Sequence, residues 1–422
     1  MKILHTSDWH LGKTLENISR IEEQHQFINE LCDIAEREQV DLVLIAGDIF
    51  DTYNPSSAAE ELFYEAIDRL NNKGKRALII IAGNHDNPDR LCASSPLAYK
   101  NGVILLGYPS SNAGEYKTGD SIVSIVNSGA GWFELRLPQY DYNTVILTMP
   151  YPSESRLEEI INRTADSEDL QEAYSQRIGS ILHTLSTNFR EDTVNLVVSH
   201  LFMREGKISD SERQLGGALM VDPEAIPEKA QYVALGHLHR PQQVKGCKVP
   251  VYYSGSPLAY SFSEVDYSKA IYIIDAEPNK EVQIKEINLN SGKPLKKWEA
   301  VNGLAEAIRW CEEGRDINAW IDLEIITDTI IGSEEQKQLR AQHPGIINIR
   351  PKLRNQLDFT MDYKDRETKR IDELFKEYYK SSMGMEVSEE LMDLFLSIAN
   401  EEIGEENKES EAGGEAYETK IS

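Results

Sequence analysis

The 422-residue chain contains few cysteines and no long apolar run. Its four cysteines lie far apart and form no CxxC pair, so reduced thiols in a cytosolic protein explain them better than a disulfide framework or a zinc site. Because no stretch of about 18 apolar residues is present, we expect no transmembrane helix and no membrane association. The first residues, MKILHTSDWH, become polar too early for a secretory signal, and we expect a cytoplasmic protein.

Positive charge is also scarce. Acidic residues outnumber lysine and arginine by 71 to 44, which gives a formal net charge of −27. This balance excludes a protein that holds nucleic acid through an overall positive field. A locally positive site is still compatible with it, because bound metal ions can carry the largest charge in a cleft.

The apolar residues, 40% of the chain, are sufficient to bury a large core in more than one domain. In the first hundred residues, apolar runs alternate with amphipathic patterns at helical spacing. The predicted strands cover residues 2–5, 41–46 and 77–82, and further buried strands are predicted at 194–199 and 231–235. This alternation of strands and helices predicts an α/β layered domain.

The composition changes near residues 288–297, which we interpret as a linker. We therefore divide the chain into a first domain at 1–287, a smaller α/β domain at 288–364, a helical segment at 365–400 and a tail at 401–422. The helical segment carries an apolar stripe at Leu391, Leu394, Phe395 and Ile398. We expect the tail to be disordered, because residues 386–422 hold twelve acidic residues against two lysines.

Polar side chains that can bind metals follow five of the predicted strands. They are Asp8 with His10, Asp48, Asn84 with His85, His200, and His237 with His239. Groups just past the carboxyl ends of neighbouring strands converge on one crevice in an open α/β sheet. The D-x-H and H-x-H spacings would place both members of each pair on the same side of an extended segment.

The types of these residues also indicate which metals they would bind. Mixed His, Asp and Asn ligands without thiolate favour manganese, iron or magnesium over structural zinc. Seven oxygen and nitrogen donors are too many for one ion that keeps an open position, and enough for two ions that share a bridging carboxylate. Each residue alone has an ordinary alternative: an Asp after a strand is often a cap or turn residue, and a lone His such as His200 is often a semi-buried structural residue.

The motifs D-x-H, GD-x-x-D, GNHD, a His after a strand, and GH-x-H together resemble the calcineurin-like metallophosphoesterase superfamily. The segments AGDIFDTYNPS, YVALGHLHRPQ and YYSGSPLAYSFSE resemble, more narrowly, the DNA nucleases within it. The resemblance is close over roughly residues 1–265 and looser from residue 285 onward. It implies a β-sandwich flanked by helices, followed by a smaller α/β capping domain and C-terminal helices.

The resemblance further implies two groups of metal ligands that share Asp48. They are Asp8, His10, Asp48 and His239 for the first ion, and Asp48, Asn84, His200 and His237 for the second. His85 would face the scissile phosphate and either stabilise the transition state or protonate the leaving oxygen. The alternative for His85 is a supporting contact to a ligand. Asp51 and Asp86 are candidates for orienting the His85 imidazole.

The activity implied by the resemblance is two-metal hydrolysis of DNA phosphodiester bonds, with manganese as the first choice of metal and magnesium or iron as alternatives. It comprises 3′–5′ exonuclease action on duplex ends and endonuclease action on single strands and hairpins. Lys13, Arg90 and Arg240 could contact DNA phosphates, and ordinary surface charge is the alternative for each.

The implied partners are DNA at the nucleoid, an SMC-type ATPase that acts in DNA repair and recombination, and a second copy of the chain within a heterotetramer. The C-terminal apolar stripe would either dock the ATPase or pack on the protein's own core. A rival interpretation is a metallophosphoesterase that acts on small phosphodiesters or phosphoproteins. The complete ligand set argues against a non-catalytic scaffold.

Overall fold

The computed structural model describes residues 1–114, 116–117, 123–153, 156, 167–207, 219–328 and 331–354. Beyond these it describes residues 372, 374–376, 379, 387–388, 391–392 and 395–396. The predicted tail and most of the predicted helical segment lie outside the described residues. The described chain forms two compact units: Met1–Lys297 with Asn318–Asp322, and Trp298–Ile317 with the described residues from Leu323 onward.

The first unit contains a six-stranded sheet. In spatial order its strands are β16 (Gln283–Asn288), β15 (Ala270–Asp275), β1 (Lys2–Thr6), β4 (Leu42–Ala46), β5 (Ala77–Ile81) and β6 (Val103–Leu106). Strands β1, β4, β5 and β6 are parallel, and β15 pairs antiparallel with both β1 and β16. Every residue of β4 and β5 is buried, as the uninterrupted apolar runs predict for strands covered on both faces.

An eight-stranded sheet lies against the first. Its strands in spatial order are β13 (Gln242–Gln243), β14 (Val251–Tyr253), β12 (Tyr232–Gly236), β11 (Thr193–His200), β10 (Asn143–Met149), β9 (Trp132–Arg136), β8 (Ser124–Gly129) and β7 (Tyr116–Lys117). The four strands from β14 to β10 are parallel, and β9 pairs antiparallel with β10. A separate two-stranded ribbon is formed by β2 (Thr14–Leu15) and β3 (Ile18–Ser19).

Helices cover the outer faces of the two sheets. They are α1 (Ile21–Arg37), α2 (Ser57–Asn71), α3 (Pro88–Cys92), α4 (Ser95–Ala98) and α5 (Ser167–Leu185). Alternation along β4 divides its side chains, since Val43 packs with the helices while Leu44 faces the second sheet. A third apolar cluster joins α5 to the outer face of β10 and β11. The first unit is therefore a β-sandwich between two layers of helices.

The second unit contains a three-stranded sheet with β18 (Trp320–Thr327) between β17 (Leu295–Ala300) and β19 (Ile346–Leu353). The helices α6 (Leu304–Glu312) and α7 (Ser333–Gln342) connect the strands in sequence. The linker expected at 288–297 is shorter than predicted, because a strand with buried Leu295 and Trp298 begins inside it. Among the described residues, none of the helices combines the length and apolar character needed to cross a membrane.

Candidate metal centre and active site

The predicted ligands meet at one end of the sandwich. Asp8 and His10 follow β1, Asp48 follows β4, Asn84 follows β5, His200 ends β11, and His237 and His239 follow β12. The first three of these strands belong to one sheet and the last two to the other. The crevice is therefore formed by the strand ends of two packed sheets rather than of one open sheet.

The backbone at four of these residues has a positive φ angle, which is 52° at Asp8, 46° at His10, 50° at Asp48 and 109° at His237. The expectation of an extended D-x-H segment is thus wrong, because two hydrogen bonds fold this segment onto the loop after β4. The Asp8 N–H donates to the Gly47 carbonyl at 2.9 Å and the His10 N–H donates to the Asp48 carbonyl at 3.0 Å. Such conformations cost roughly 1–3 kcal/mol each and persist where the surroundings fix them.

Two motif glycines are required because atoms of neighbouring residues lie too close for a side chain. A Cβ at Gly83 of the GNHD motif would lie 2.1 Å from Asp48 Oδ1. A Cβ at Gly236 of the GHLH motif would lie 1.9 Å from the Ala46 carbonyl oxygen. Gly83 thus lets two neighbouring loops of the first sheet approach each other closely, and Gly236 lets the second sheet approach the end of β4.

The first predicted ligand group is buried and compact. His10 Nε2 lies 3.1 Å from His239 Nε2, and donor atoms of both lie within 4.8 Å of an Asp8 carboxylate oxygen. The Asp8 carboxylate is itself fixed by hydrogen bonds from the His237 N–H at 2.9 Å and the Ser7 hydroxyl at 2.5 Å.

The second predicted group forms around Asn84. Its Oδ1 lies 3.0 Å from His200 Nε2 and 2.9 Å from His237 Nδ1. Asp48 lies between the two groups, because its Oδ2 is 3.6 Å from His10 Nε2 and 3.5 Å from His200 Nε2. This is the position that a carboxylate shared by two ions would occupy.

This donor set fits divalent cations. The facing Nε2 atoms of His10 and His239 can share only one hydrogen bond, whereas a metal ion would satisfy both lone pairs. Burial lowers the pKa of His10 and His237 to about 3, so these imidazoles are neutral, as ligands must be. Burial also raises the pKa of Asp8, to about 6.

Asp48 and His200 behave as an ion pair within this set. Burial alone would raise the pKa of Asp48, but the positive charge of His200 holds it well below its usual range. Burial alone would lower the pKa of His200, but the Asp48 carboxylate raises it to about 9. A divalent cation between them would take over the role of the His200 proton.

His85 stands beside the ligands, at the edge of an open depression of about 350 Å³. The residues that line this depression are Asp51, Thr52, Tyr53, Asn84, His85 and Tyr151. The His85 N–H donates to Asp48 Oδ1 at 2.8 Å, and His85 Nδ1 contacts the main-chain carbonyl of Asp51 at 2.8 Å. These contacts fix the imidazole and leave Nε2 for another partner.

Asp51 and Asp86, the two candidates for orienting His85, make different contacts. The group that contacts His85 is the Asp51 main-chain carbonyl, while the Asp51 carboxylate accepts from Lys13 Nζ at 2.6 Å. The buried Asp86 carboxylate accepts instead from three main-chain N–H groups, those of Ile49, Phe50 and Gly83, at 3.1, 2.9 and 2.8 Å. Asp86 therefore ties the turn after β4 to the turn after β5.

The three candidate DNA contacts have different surroundings. Lys13 is the one beside the site, through its ion pair with Asp51. Arg90 forms an exposed ion pair with Glu60 at 2.9 Å, and the Arg240 guanidinium lies 5.1 Å from the centre of the Tyr267 ring. Their contact with DNA stays a prediction.

Sequence reasoning missed three buried residues around the site. The Arg156 guanidinium donates to the main-chain carbonyls of Gly83 at 2.6 Å and Asp86 at 2.7 Å. Glu264 Oε1 lies 3.5 Å from His239 Nδ1, and Glu264 also pairs with Lys269. Glu264 ends the segment YYSGSPLAYSFSE, which carries the resemblance without indicating this contact, and each of the three residues acts on a residue distant in the sequence.

The chain belongs to the calcineurin-like phosphoesterase family, whose profile matches residues 1–241. A second profile, the type 5 capsule protein repressor C-terminal domain, matches residues 291–382. These matches, together with the observed sandwich and smaller α/β unit, confirm the predicted family and fold class.

The family membership extends to a particular group, the SbcD subunits of SbcCD nucleases. The SbcD subunit of the SbcCD nuclease of Bacillus subtilis (strain 168) is 44% identical over 405 residues, which cover 95% of this chain and 98% of that protein. The corresponding SbcD subunit of Staphylococcus epidermidis (strain ATCC 12228 / FDA PCI 1200) is 34% identical over 310 residues, which cover 73% of this chain and 74% of that protein. The narrower resemblance seen in the sequence is thus confirmed.

Proposed function

We propose that this chain is a metal-dependent nuclease that hydrolyses DNA phosphodiester bonds. The observation that carries the proposal is the convergence of seven potential ligand side chains beside His85 and an open depression. The relationship to the SbcD subunits of SbcCD nucleases supports DNA as the substrate.

In the proposed mechanism, Asp8, His10, Asp48 and His239 hold one divalent ion, and Asp48, Asn84, His200 and His237 hold the other. When bound, two such ions supply an acidified water as nucleophile and stabilise the negative charge on the phosphate oxygens. His85, held through Nδ1 by the Asp51 carbonyl, presents Nε2 to the substrate. A proton on Nε2 would pass to the leaving oxygen, or would hydrogen-bond a phosphate oxygen as its charge develops.

We further propose manganese as the metal, 3′–5′ exonuclease action on duplex ends, and endonuclease action on single strands and hairpins. The partner would be an SbcC-like SMC-type ATPase at the nucleoid, in a heterotetramer built on a homodimer of this chain. Of the C-terminal stripe, the ring of Phe395 stacks on Phe375 with centroids 3.8 Å apart. The docking of the C-terminal stripe on the ATPase and the predicted domain limits are also part of the proposal.

The test is manganese-dependent degradation of a blunt DNA duplex, measured alone and with the ATPase and ATP. His85→Ala should slow cleavage by about 10²- to 10⁴-fold, the usual contribution of a proton-transferring side chain, while manganese binding is retained. His25→Ala is the matched control, because His25 is an exposed imidazole on α1. If the wild type cuts only a small chromogenic diester and leaves DNA intact, the proposal fails.

A further inference from the structure

A buried ion pair lies behind one of the proposed ligands, His239. Glu264 ends a short 3₁₀ helix, Phe262–Glu264, and Lys269 directly precedes β15. Glu264 is 1% exposed and Lys269 is 8% exposed. Glu264 Oε1 lies 3.5 Å from His239 Nδ1, while Glu264 Oε2 accepts from Lys269 Nζ.

The lysine ammonium is fully engaged. Besides Glu264, Lys269 Nζ donates to the His239 carbonyl oxygen at 3.0 Å and to the Ser256 hydroxyl at 2.8 Å. The pair thus holds His239 at two points, at the ring through the carboxylate and at the main chain through the ammonium. Burying two charges is costly unless their geometry and hydrogen bonds are nearly complete, so a purely stabilising role explains this pair poorly.

The ligands on the other side of the centre, which is the second predicted group around Asn84, are supported differently. His200 Nδ1 contacts the main-chain carbonyl of Ala46 at 2.8 Å. His10 Nδ1, on the same side as His239, lies 3.4 Å from the Asp51 carboxylate. Of the imidazoles of the first group, His239 has a carboxylate behind its Nδ1, whereas His10 Nδ1 makes no hydrogen bond and a neutral carbonyl stands behind His200. A carboxylate acceptor fixes the tautomer of a ligating imidazole and raises its basicity more than a neutral acceptor does.

We propose, on the basis of the proposed ligand set, that Glu264 is a positioning residue for His239. Held in place by Lys269, it keeps the His239 proton on Nδ1, so that the Nε2 lone pair is directed to the metal position. The position formed by Asp8, His10 and His239 is accordingly the tighter of the two metal positions.

The first test is a titration of the metal-free protein with Mn²⁺, followed by calorimetry and by the electron paramagnetic resonance signal of free Mn²⁺. The wild type should show a tight and a weak phase. The double variant Glu264→Leu/Lys269→Met removes both charges at similar volume and should weaken only the tight phase, by about 10- to 100-fold. The variant Glu264→Gln/Lys269→Met restores a neutral acceptor and should recover part of this loss.

The matched control is Glu134→Gln on β9. It removes a buried carboxylate that is ion-paired with Arg190 and, among the described residues, makes no contact with the ligands. Both Mn²⁺ phases should be unchanged in this control. The proposal would be overturned if Glu264→Leu/Lys269→Met bound both ions as tightly as the wild type does. It would also be overturned if this variant weakened both phases equally.

A second test observes the wild-type protein and uses one variant only to assign a signal. The ring nitrogens of ¹⁵N-histidine-labelled, metal-free protein are observed by NMR at about pH 8, with His239 assigned from its loss in His239→Gln. The proposal requires the proton on Nδ1, and a proton on Nε2 alone overturns it. Neither test uses DNA, so failure to cleave DNA would refute the proposed function and leave this inference standing.

Discussion

The two sides of the candidate metal centre differ in what stands behind their ligands. The carboxylates of Asp51 and Glu264 stand 3.4 and 3.5 Å behind the imidazoles of His10 and His239. On the other side, His200 is backed by the neutral carbonyl of Ala46. The proposal predicts that such residues, which never touch a metal, contribute to a difference in affinity between the two metal positions.

The two sides also differ in backbone. Asp8 and His10 take left-handed conformations in a loop that hydrogen bonds to the loop after β4, whereas His200 is the last residue of the regular strand β11. The first side therefore depends on two loops that hold each other, whereas the second combines a strand end at His200 with the turns that carry Asn84 and His237.

The largest effect should come from the residue common to both sides. Asp48→Asn removes the charge between His10 and His200, so both Mn²⁺ phases should be lost and cleavage should fall by about 10³-fold, equivalent to about 4 kcal/mol. Asp41→Asn is the control, since Asp41 is a partly buried carboxylate that accepts from Lys2 and Tyr140 far from the centre. Cleavage by Asp48→Asn within a few-fold of the wild type would contradict a shared carboxylate.

The second effect tests the close approach of the loops. Gly83→Ala places a methyl group 2.1 Å from Asp48 Oδ1, so Asp48 must move and both sides should lose affinity for Mn²⁺. The free energy of unfolding should fall by about 3 kcal/mol, at the upper end for overpacking. Gly332→Ala is the control, because its nearest contact is an ordinary 3.5 Å to Glu335. Unfolding in urea measures the stability of both variants. An unchanged midpoint for Gly83→Ala would contradict the close approach of Gly83 to Asp48.

The third effect should fall on the second side alone. Arg156→Met removes both hydrogen bonds to the turn that carries Asn84, so the weak Mn²⁺ phase should lose about 2 kcal/mol of affinity while the tight phase is kept. Calorimetric titration measures the two phases separately. The control Arg204→Met removes an exposed arginine paired with Asp222 and should change neither phase. A loss confined to the tight phase would contradict the assignment of the weak phase to the side that contains Asn84.

The smallest effect should fall on the first side alone, at the tight metal position. Ser256→Ala removes one of the three acceptors of Lys269, so the tight phase should weaken by about 1 kcal/mol, roughly fivefold. The weak phase should not change. Ser180→Ala, at an exposed position of α5, serves as the control for the loss of a hydroxyl. An equal change in both phases would show that Ser256 acts on general stability only.

The potential ligands could be predicted from the sequence because each follows an apolar run that is a strand in the structure. Asp48 and Asn84 come directly after β4 and β5, whose residues are all buried. Parallel strands align their carboxyl ends, so residues far apart in sequence can be assigned to one site. The supporting contacts follow no such rule: Arg156 reaches a carbonyl 73 residues away in the chain.

The roles of Asp51 and Asp86 at His85 were difficult to predict for the same reason. Asp86 is adjacent to His85 in sequence, but its carboxylate turns away to the N–H groups after β4. For Asp51 the relevant atom is a main-chain oxygen, which any residue type would supply. Residue identity predicts which chemistry is available, and the backbone decides which atom is presented.

By itself, the sequence determined the strands, their order along the chain and the donor atoms that follow them, because apolar periodicity and residue type are local properties. Only the tertiary structure decided that two sheets share the site, that Asp8 and His10 are left-handed, and that Glu264 stands behind His239. These features depend on the register and packing of distant segments. A change of one residue in strand register reverses which face a side chain occupies, and the register is settled when the strands pair and pack.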